Sequence, residues 1–341
     1  MYKRLLVLLI GSVSLLALFN SEAFCQNTSA SLPPIRVEGN KFVDPDGAQV
    51  IFRGVSFSDP DKLEKDGHWN KAYFQEAKNW GANIVRFPVH PSAWRARGPE
   101  NYLKLLDQGI QWAEEVGLYV IIDWHSIGNL QTELFQHPMY NTTKTETFQF
   151  WKTMAERYAG NHVVPFFELF NEPTNYNGTL GRISWEEHKK MMEDLIYIIY
   201  AHDDTKIPLV AGFNWAYDLT PVQFSPIEFP GVAYVTHPYP QKRPAPWEGH
   251  WERDFGFVAD SYPVIATEFG FVKEDERGAH VPVIGDETYG EAIIDYFNKK
   301  GISWTAWVFD PNWAPPLFDD WSFTPTRQGR FFREKMTQLN R

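Results

Sequence analysis

From residue 50 onward the chain repeats one hydrophobic pattern. An amphipathic stretch closes on a glycine, and a short β-branched or aromatic run follows at once. Asn79-Trp80-Gly81 leads into 83–89, Glu115-Val116-Gly117 into 118–125, Tyr158-Ala159-Gly160 into 163–171 and Lys299-Lys300-Gly301 into 302–309. A glycine past the last helical turn supplies the left-handed residue that ends a helix and redirects the chain. Between these points the helical period is clear. Phe148, Trp151, Ala155 and Tyr158 share one face over 145–159, and Ser184 with Glu187 forms a capping box before a helix through Met191, Leu195 and Ile199. The apolar runs predict eight strands, at 50–57, 83–89, 118–125, 163–171, 208–214, 232–239, 263–270 and 302–309. Eight alternating βα units predict a closed (β/α)8 TIM barrel, an α/β fold in a single domain. The link over 215–231 carries three prolines and no helical period, so that unit is expected to be degraded. No internal repeat or linker marks a second domain.

The chain's start follows another pattern. Lys3 and Arg4 precede an apolar run from Leu5 to Phe19, and Ser21-Glu22-Ala23 offers small residues where a signal peptidase cuts. Residues 1–23 therefore predict a signal peptide, and the protein is expected to be secreted, extracellular or periplasmic. Bulky Phe24 argues against a lipid anchor at Cys25. Polar residues 24–34 predict a disordered leader. A short hairpin is expected from Ile35, turning at Asp44-Pro45-Asp46-Gly47, so the barrel domain runs over 35–341.

Charge and cysteine content narrow the function. Losing Lys3, Arg4 and Glu22 with the signal takes the formal net charge from −11 to −12. No basic run survives, which argues against nucleic acid and against a membrane surface once the signal is gone. The single cysteine allows neither an intramolecular disulfide nor a thiolate metal site. No metal or cofactor is expected, and the protein is expected to be a monomer.

Two peptides carry the chemistry. Phe166–Pro173 and Val264–Gly270 are apolar runs that each deliver one glutamate, Glu172 and Glu268, at a strand's C-terminal end. A carboxylate there is costly to bury without a task or a partner. Two of them at the rim where barrel chemistry sits fit a retaining glycosidase, which needs a proton donor and a nucleophile about 5 Å apart. The other strand ends add Arg86, His125, Asn171, His237, Tyr239 and Trp307. Each alone has a structural explanation; together they are a site. Trp304 competes with Trp307 but differs by three residues, hence by face. Glu168, four residues before Glu172, should sit deeper in the barrel in a structural role, and Asp123 should anchor the interior. Asp310, Asp319 and Asp320 lie in the strand-eight loop, where they could meet sugar or only water. Of Trp94, Trp124, Trp215, Trp247, Trp313 and Trp321, two or three should line a cleft, Trp215 and Trp313 foremost, because indole offers a flat face to a pyranose.

The motifs that carry these residues resemble glycoside hydrolase family 5. They are Ile84-Val85-Arg86-Phe87-Pro88, Ile122-Asp123-Trp124-His125, Asn171-Glu172-Pro173, His237-Pro238-Tyr239, Glu268-Phe269-Gly270 and Trp304-Thr305-Ala306-Trp307. The resemblance covers nearly the whole chain after the signal. It implies Glu172 as acid/base and Glu268 as nucleophile, surrounded by Arg86, His125, Asn171, His237, Tyr239 and Trp307. The implied activity is endo-β-1,4-glucanase action on β-glucan or a related plant cell-wall polysaccharide. An endo-β-1,4-mannanase or xyloglucanase would use the same pair. A glycan-binding barrel without activity would tolerate loss of either glutamate, yet both are present. A metal-dependent amidohydrolase barrel would want a His-x-His pair on strand one, and Phe52–Phe57 has no histidine.

Overall fold

The computed structural model describes residues 32–340. Eight parallel strands close on themselves: β1 (Arg53–Ser56), β2 (Ile84–Val89), β3 (Tyr119–Trp124), β4 (Phe166–Glu168), β5 (Ile207–Ala211), β6 (Ala233–Val235), β7 (Val264–Phe269) and β8 (Ser303–Ala306). Each pairs with its sequence neighbours, and β8 pairs with β1 through Trp304–Arg53, Thr305–Gly54 and Ala306–Val55. This is the expected (β/α)8 barrel. Both faces of every strand are covered, so the hydrophobic runs are continuous rather than alternating.

Several strands are shorter than their hydrophobic runs. β4 stops at Glu168 although apolar residues continue to Phe170, and β5 stops at Ala211 instead of 214. Beyond Glu168 single backbone bonds persist, from Leu169 N to the Leu209 carbonyl at 3.1 Å and from Asn171 N to the Trp124 carbonyl at 3.2 Å, and burial there still demands apolar residues. Glu172-Pro173 leaves the barrel and joins a small three-stranded sheet with Ile127–Asn129 and Leu134–Phe135.

The expected helices are present. One spans Lys144–Arg157 with Thr143 as N-cap, and one spans Trp185–Tyr200 behind a complete Ser184–Glu187 capping box. After β5 there is only a single turn (Phe213–Ala216) and a 3-10 turn (Thr220–Gln223), the degraded unit.

At the barrel's N-terminal mouth, Phe42 packs edge-on against Phe52 and Phe166, sealing a lumen lined by Ile121, Leu209, Val235 and Ile265. Phe42 comes from a hairpin of Arg36–Glu38 and Lys41–Val43, which turns at Gly39-Asn40 rather than at 44–47. The Asp44–Gly47 segment is a second turn, in which the Asp44 side chain caps the amides of Asp46 and Ala48. Residues 32–34, expected in the disordered leader, lie on the barrel instead: the Pro33 carbonyl accepts from the Tyr119 hydroxyl at 2.8 Å, and Leu32 packs on the core. The expected signal peptide and the rest of the leader lie outside the described residues. Among the described residues no helix is long and apolar enough to cross a membrane.

Candidate active site

With its lower mouth plugged by Phe42, the lumen carries its polar residues in its upper half. Arg86, inward-facing in β2 and fully buried, is the hub. Its Nε and Nη2 donate to Glu168 at 2.7 and 3.0 Å, and Nη2 also reaches the Asn171 side-chain oxygen at 2.6 Å and Asp123 at 2.9 Å. Nη1 reaches Ser56 at 3.3 Å and Glu268 at 3.5 Å. Burial would lower its pKa, but Asp123, Glu168 and Glu268 raise it instead, so the guanidinium stays charged. The same pairing holds Glu168 down at about 2 against the upward push of burial, with His237 helping. Glu168 thus has the deeper structural role expected of it.

Glu172 and Glu268 face each other above this hub. One carboxylate oxygen of each, together with a ring nitrogen of His237, all lie within 4.8 Å of one another. Their surroundings differ. Glu268 accepts from the Tyr239 hydroxyl at 2.8 Å and from Arg86, whereas Glu172 meets His237 Nδ1 at 2.9 Å. Burial pushes the Glu268 carboxyl upward, and the Glu172 charge adds to this against His237, Arg86 and Tyr239. Burial and the two glutamates push the Tyr239 phenol well above its usual value, so it remains a donor.

His237 links the two layers. Its Nε2 lies 2.9 Å from the Thr267 hydroxyl, which donates to Glu168 at 2.8 Å. Burial would depress the imidazole, but Glu268, Glu168 and Glu172 outweigh it and hold the ring at about 9. His237 is therefore a cation at neutral pH that donates from both nitrogens. The Glu172–His237–Glu268 set is also the group among the described residues close enough to hold a metal ion. A metal ion there would have to displace the proton that Glu268, Glu168 and Glu172 hold on the ring.

His125 has the opposite state. Its Nδ1 donates to Asp123 at 2.6 Å, and burial with His90, Arg86 and His237 depresses it well below its usual value. The ring is neutral, and Nε2 is left as an acceptor toward the cleft. Asn171 offers the complement: its oxygen is taken by Arg86, and its Nδ2 is buried without a protein partner.

A cleft of about 630 Å³ opens over this site, lined by His125, Glu172, Glu268, Trp307, Tyr140 and Trp215 among others. The loop after β3 contributes Gln136 and Tyr140 to its wall, and the loop after β7 contributes His280 to Val283. Trp307 lies parallel to His125 at 5.5 Å, and Trp313 stacks on Trp307 at 5.7 Å. Trp304 points outward, fully buried against Phe269 and Phe332. Trp215 hydrogen-bonds Gln136 at 2.8 Å, with the Lys242 ammonium 4.9 Å above its ring. The other candidate tryptophans pack: Trp94 and Trp124 on Phe150, Trp247 on Trp251, and Trp321 on His68. Asp310, open to either reading from sequence, is buried and ties down its own loop through the Asn312 and Trp313 amides.

The sequence reading missed Thr267, Lys242, Tyr140 and Gln136. Thr267 adjoins Glu268, and strand alternation would send the two to opposite faces. Between Ala266 and Phe269 the register against β8 shifts, and this bulge lets both point inward.

Three comparisons bear on this geometry. The model of the cellulase family, glycosyl hydrolase family 5, matches residues 43–312. Endoglucanase A of Butyrivibrio fibrisolvens is 27% identical over 294 residues, 80% of this chain and 59% of that protein. An endoglucanase of Clostridium saccharobutylicum is 24% identical over 276 residues, 80% of this chain and 56% of its own length. The chain thus spans little more than half the length of these two relatives. Among solved structures, β-glucanase SdGluc5_26A of Saccharophagus degradans, in complex with cellotetraose, is 49% identical. It superposes with a TM-score of 0.90, covering 91% of this chain and 95% of that one.

Proposed function

Because the chain belongs to glycosyl hydrolase family 5, we propose that it is a secreted retaining endo-β-1,4-glucanase with Glu172 as acid/base and Glu268 as nucleophile. The observation that carries this reading is the approach of the two carboxylates, whose oxygens come within 4.8 Å of each other. Retention calls for about 5–5.5 Å between the carboxyl groups, whereas an inverting pair stands about 6.5–9.5 Å apart to admit a water.

The hydrogen bonds divide the roles. Tyr239 and Arg86 stabilise negative charge on Glu268, which suits a nucleophile. Glu172, which meets the single His237 ring instead, is the acid/base in this reading. In the first step a Glu268 oxygen attacks the anomeric carbon while Glu172 protonates the departing glycosidic oxygen, giving a glycosyl ester and a free sugar end. In the second, Glu172 takes a proton from water, the water oxygen attacks the same carbon, and the ester bond to Glu268 breaks. In this reading Asn171 Nδ2, which has no protein partner, donates to the sugar 2-hydroxyl, a contact that strengthens as positive charge develops on the ring.

The cellotetraose complex of the similar β-glucanase supports glucan as substrate. Export is supported by Lys3, Arg4 and the apolar run before Ala23, and predicts Phe24 as the first residue of protein recovered outside the cytoplasm. The test of substrate is hydrolysis of carboxymethyl-cellulose, mixed-linkage glucan, β-mannan and xyloglucan with product sizing. Internal cleavage of the glucans is expected to be fastest. Preference for mannan, or release of a single short product from the outset, would overturn the endo-glucanase assignment.

A further inference from the structure

A second carboxylate–imidazole pair stands beside Asp123–His125, and none of the steps above uses it. Asp59 follows β1 and His90 follows β2; both are almost fully buried. The Asp59 carboxylate has all four lone pairs engaged. Oδ1 accepts from the Asp61 amide and the Tyr102 hydroxyl, each at 2.7 Å, and Oδ2 accepts from the His90 amide at 2.9 Å and His90 Nδ1 at 3.0 Å. A carboxylate so engaged can only accept, so Nδ1 carries a proton and the ring's orientation is set. His90 Nε2 has no partner among the described residues. Nor is it sealed off: the buried side-chain polar atoms without partners are Arg53 Nε, Asp123 Oδ1, Asn171 Nδ2 and Trp304 Nε1.

The surroundings indicate what that nitrogen faces. His90, His125, Trp307 and Trp313 form a closed ring of side chains, with successive centroids 4.6, 5.5, 5.7 and 5.2 Å apart. Trp313 is fixed from behind, since Asp310 holds its amide and is itself held by Ser58 and Lys62. This cluster occupies the arc of the rim from β8 through β1 and β2 to the end of β3. Glu172, Trp215 and Lys242 occupy the opposite arc, after β4, β5 and β6. The acid protonates the leaving oxygen, so the leaving sugar lies on its own arc and the His90 arc faces the glycone.

We propose that His90 is a specificity-determining residue that hydrogen-bonds a glycone hydroxyl through Nε2, with Asp59 as its positioning partner. Trp307, which lines the cleft and is backed by Trp313, supplies the apolar wall against which the sugar ring is held. A ring that merely filled space would not need a saturated carboxylate on one nitrogen, and its other nitrogen lies just behind His125 and Tyr140, which line the cleft. The proposal rests on the glycosidase reading above and adds the residue that reads the sugar.

The test is a series of monodeoxy aryl β-cellobiosides hydrolysed by the native protein, by His90→Phe and by His90→Gln. For one analogue the native protein should lose roughly tenfold in kcat/KM, the effect of one missing hydrogen bond. His90→Phe should be slower by a similar factor on the parent substrate and lose nothing further on that analogue. If His90→Phe does not fold, His90→Gln, whose flexible amide is not fixed as the Asp59-held ring is, should show a reduced discrimination on that same analogue. Native-like discrimination across the series in a folded variant, or an equal loss on every analogue, would overturn the proposal. Should the native protein prefer an aryl β-mannobioside, the glucan assignment falls, while the same deoxy series on that glycone still decides His90. Should it hydrolyse neither, both readings fall together.

Discussion

Glu268 receives a phenol and a guanidinium, while Glu172 receives one imidazolium, and the two carboxylates should therefore fail differently when removed. Glu268→Ala leaves no atom to form the ester, and activity should fall on the order of 10⁴-fold or more. Glu172→Ala should still form the intermediate from an activated aryl glycoside and then stall for want of a base. Azide should accelerate Glu172→Ala and yield the β-azide, but should give the α-azide with Glu268→Ala. The opposite product stereochemistry would exchange the two roles. His237 carries a second expectation at this scale. Its pKa of about 9 in the fold exceeds the usual value of 6.5. The stability it contributes is therefore complete below about pH 6.5 and is lost as pH rises through about 9. The melting temperature should decline over that window, and the decline should be smaller in His237→Asn. An equal decline in both would remove His237 as its source.

Elements matter here through their irregular ends. Asn214, Trp215 and Ala216 all have φ near +57° (57°, 56° and 57°), a left-handed run that costs roughly 1–2 kcal/mol per non-glycine residue. Lys242 donates to the Asn214 carbonyl at 2.8 Å and covers the Trp215 ring, and Gln136 takes the indole N–H, so the turn presents the indole at the acid's side of the cleft. Trp215→Ala should lower kcat/KM on cello-oligosaccharides by roughly tenfold through lost stacking. It should leave an aryl β-cellobioside, whose leaving group is not a sugar, nearly untouched. Equal losses on both substrates would mean that the turn supports the site rather than the leaving sugar. The period of the sequence could place Trp215 near the end of a strand. It could not foresee a chain turning back on itself there, because left-handed residues other than glycine leave no periodic mark.

At the scale of the whole molecule, chelation is the informative perturbation. Among the described residues, the one group of three carboxylate and imidazole side chains compact enough for a metal includes a histidine held in its protonated form by its acidic neighbours, so turnover should survive exhaustive EDTA treatment. Loss of activity restored by a specific divalent ion would contradict the proton-and-ester mechanism. A lowered melting temperature with intact turnover would point to a structural ion elsewhere.

The sequence by itself determined the barrel, because eight strands buried on both faces must be written as continuous apolar runs, and some helix ends as glycines, as at Gly117 and Gly301. It also determined which strand ends carry Arg86, His125, Asn171, Glu172, His237, Tyr239, Glu268 and Trp307, since a polar residue closing such a run stands out locally. Closure of the barrel then decided what no period encodes. It set the distance between Glu172 and Glu268, which comes from strands separated by nearly a hundred residues. It also made the bulge that turns Thr267 inward beside Glu268, and the departure of Glu172-Pro173 into a rim sheet. Asp59 and His90 belong to the same class. Each is an ordinary polar residue after an ordinary strand, and only the adjacency of β1 and β2 in the closed barrel brings the carboxylate onto the imidazole. Local pattern records whether a residue is buried, whereas the partner it meets is set by contacts between segments distant in sequence.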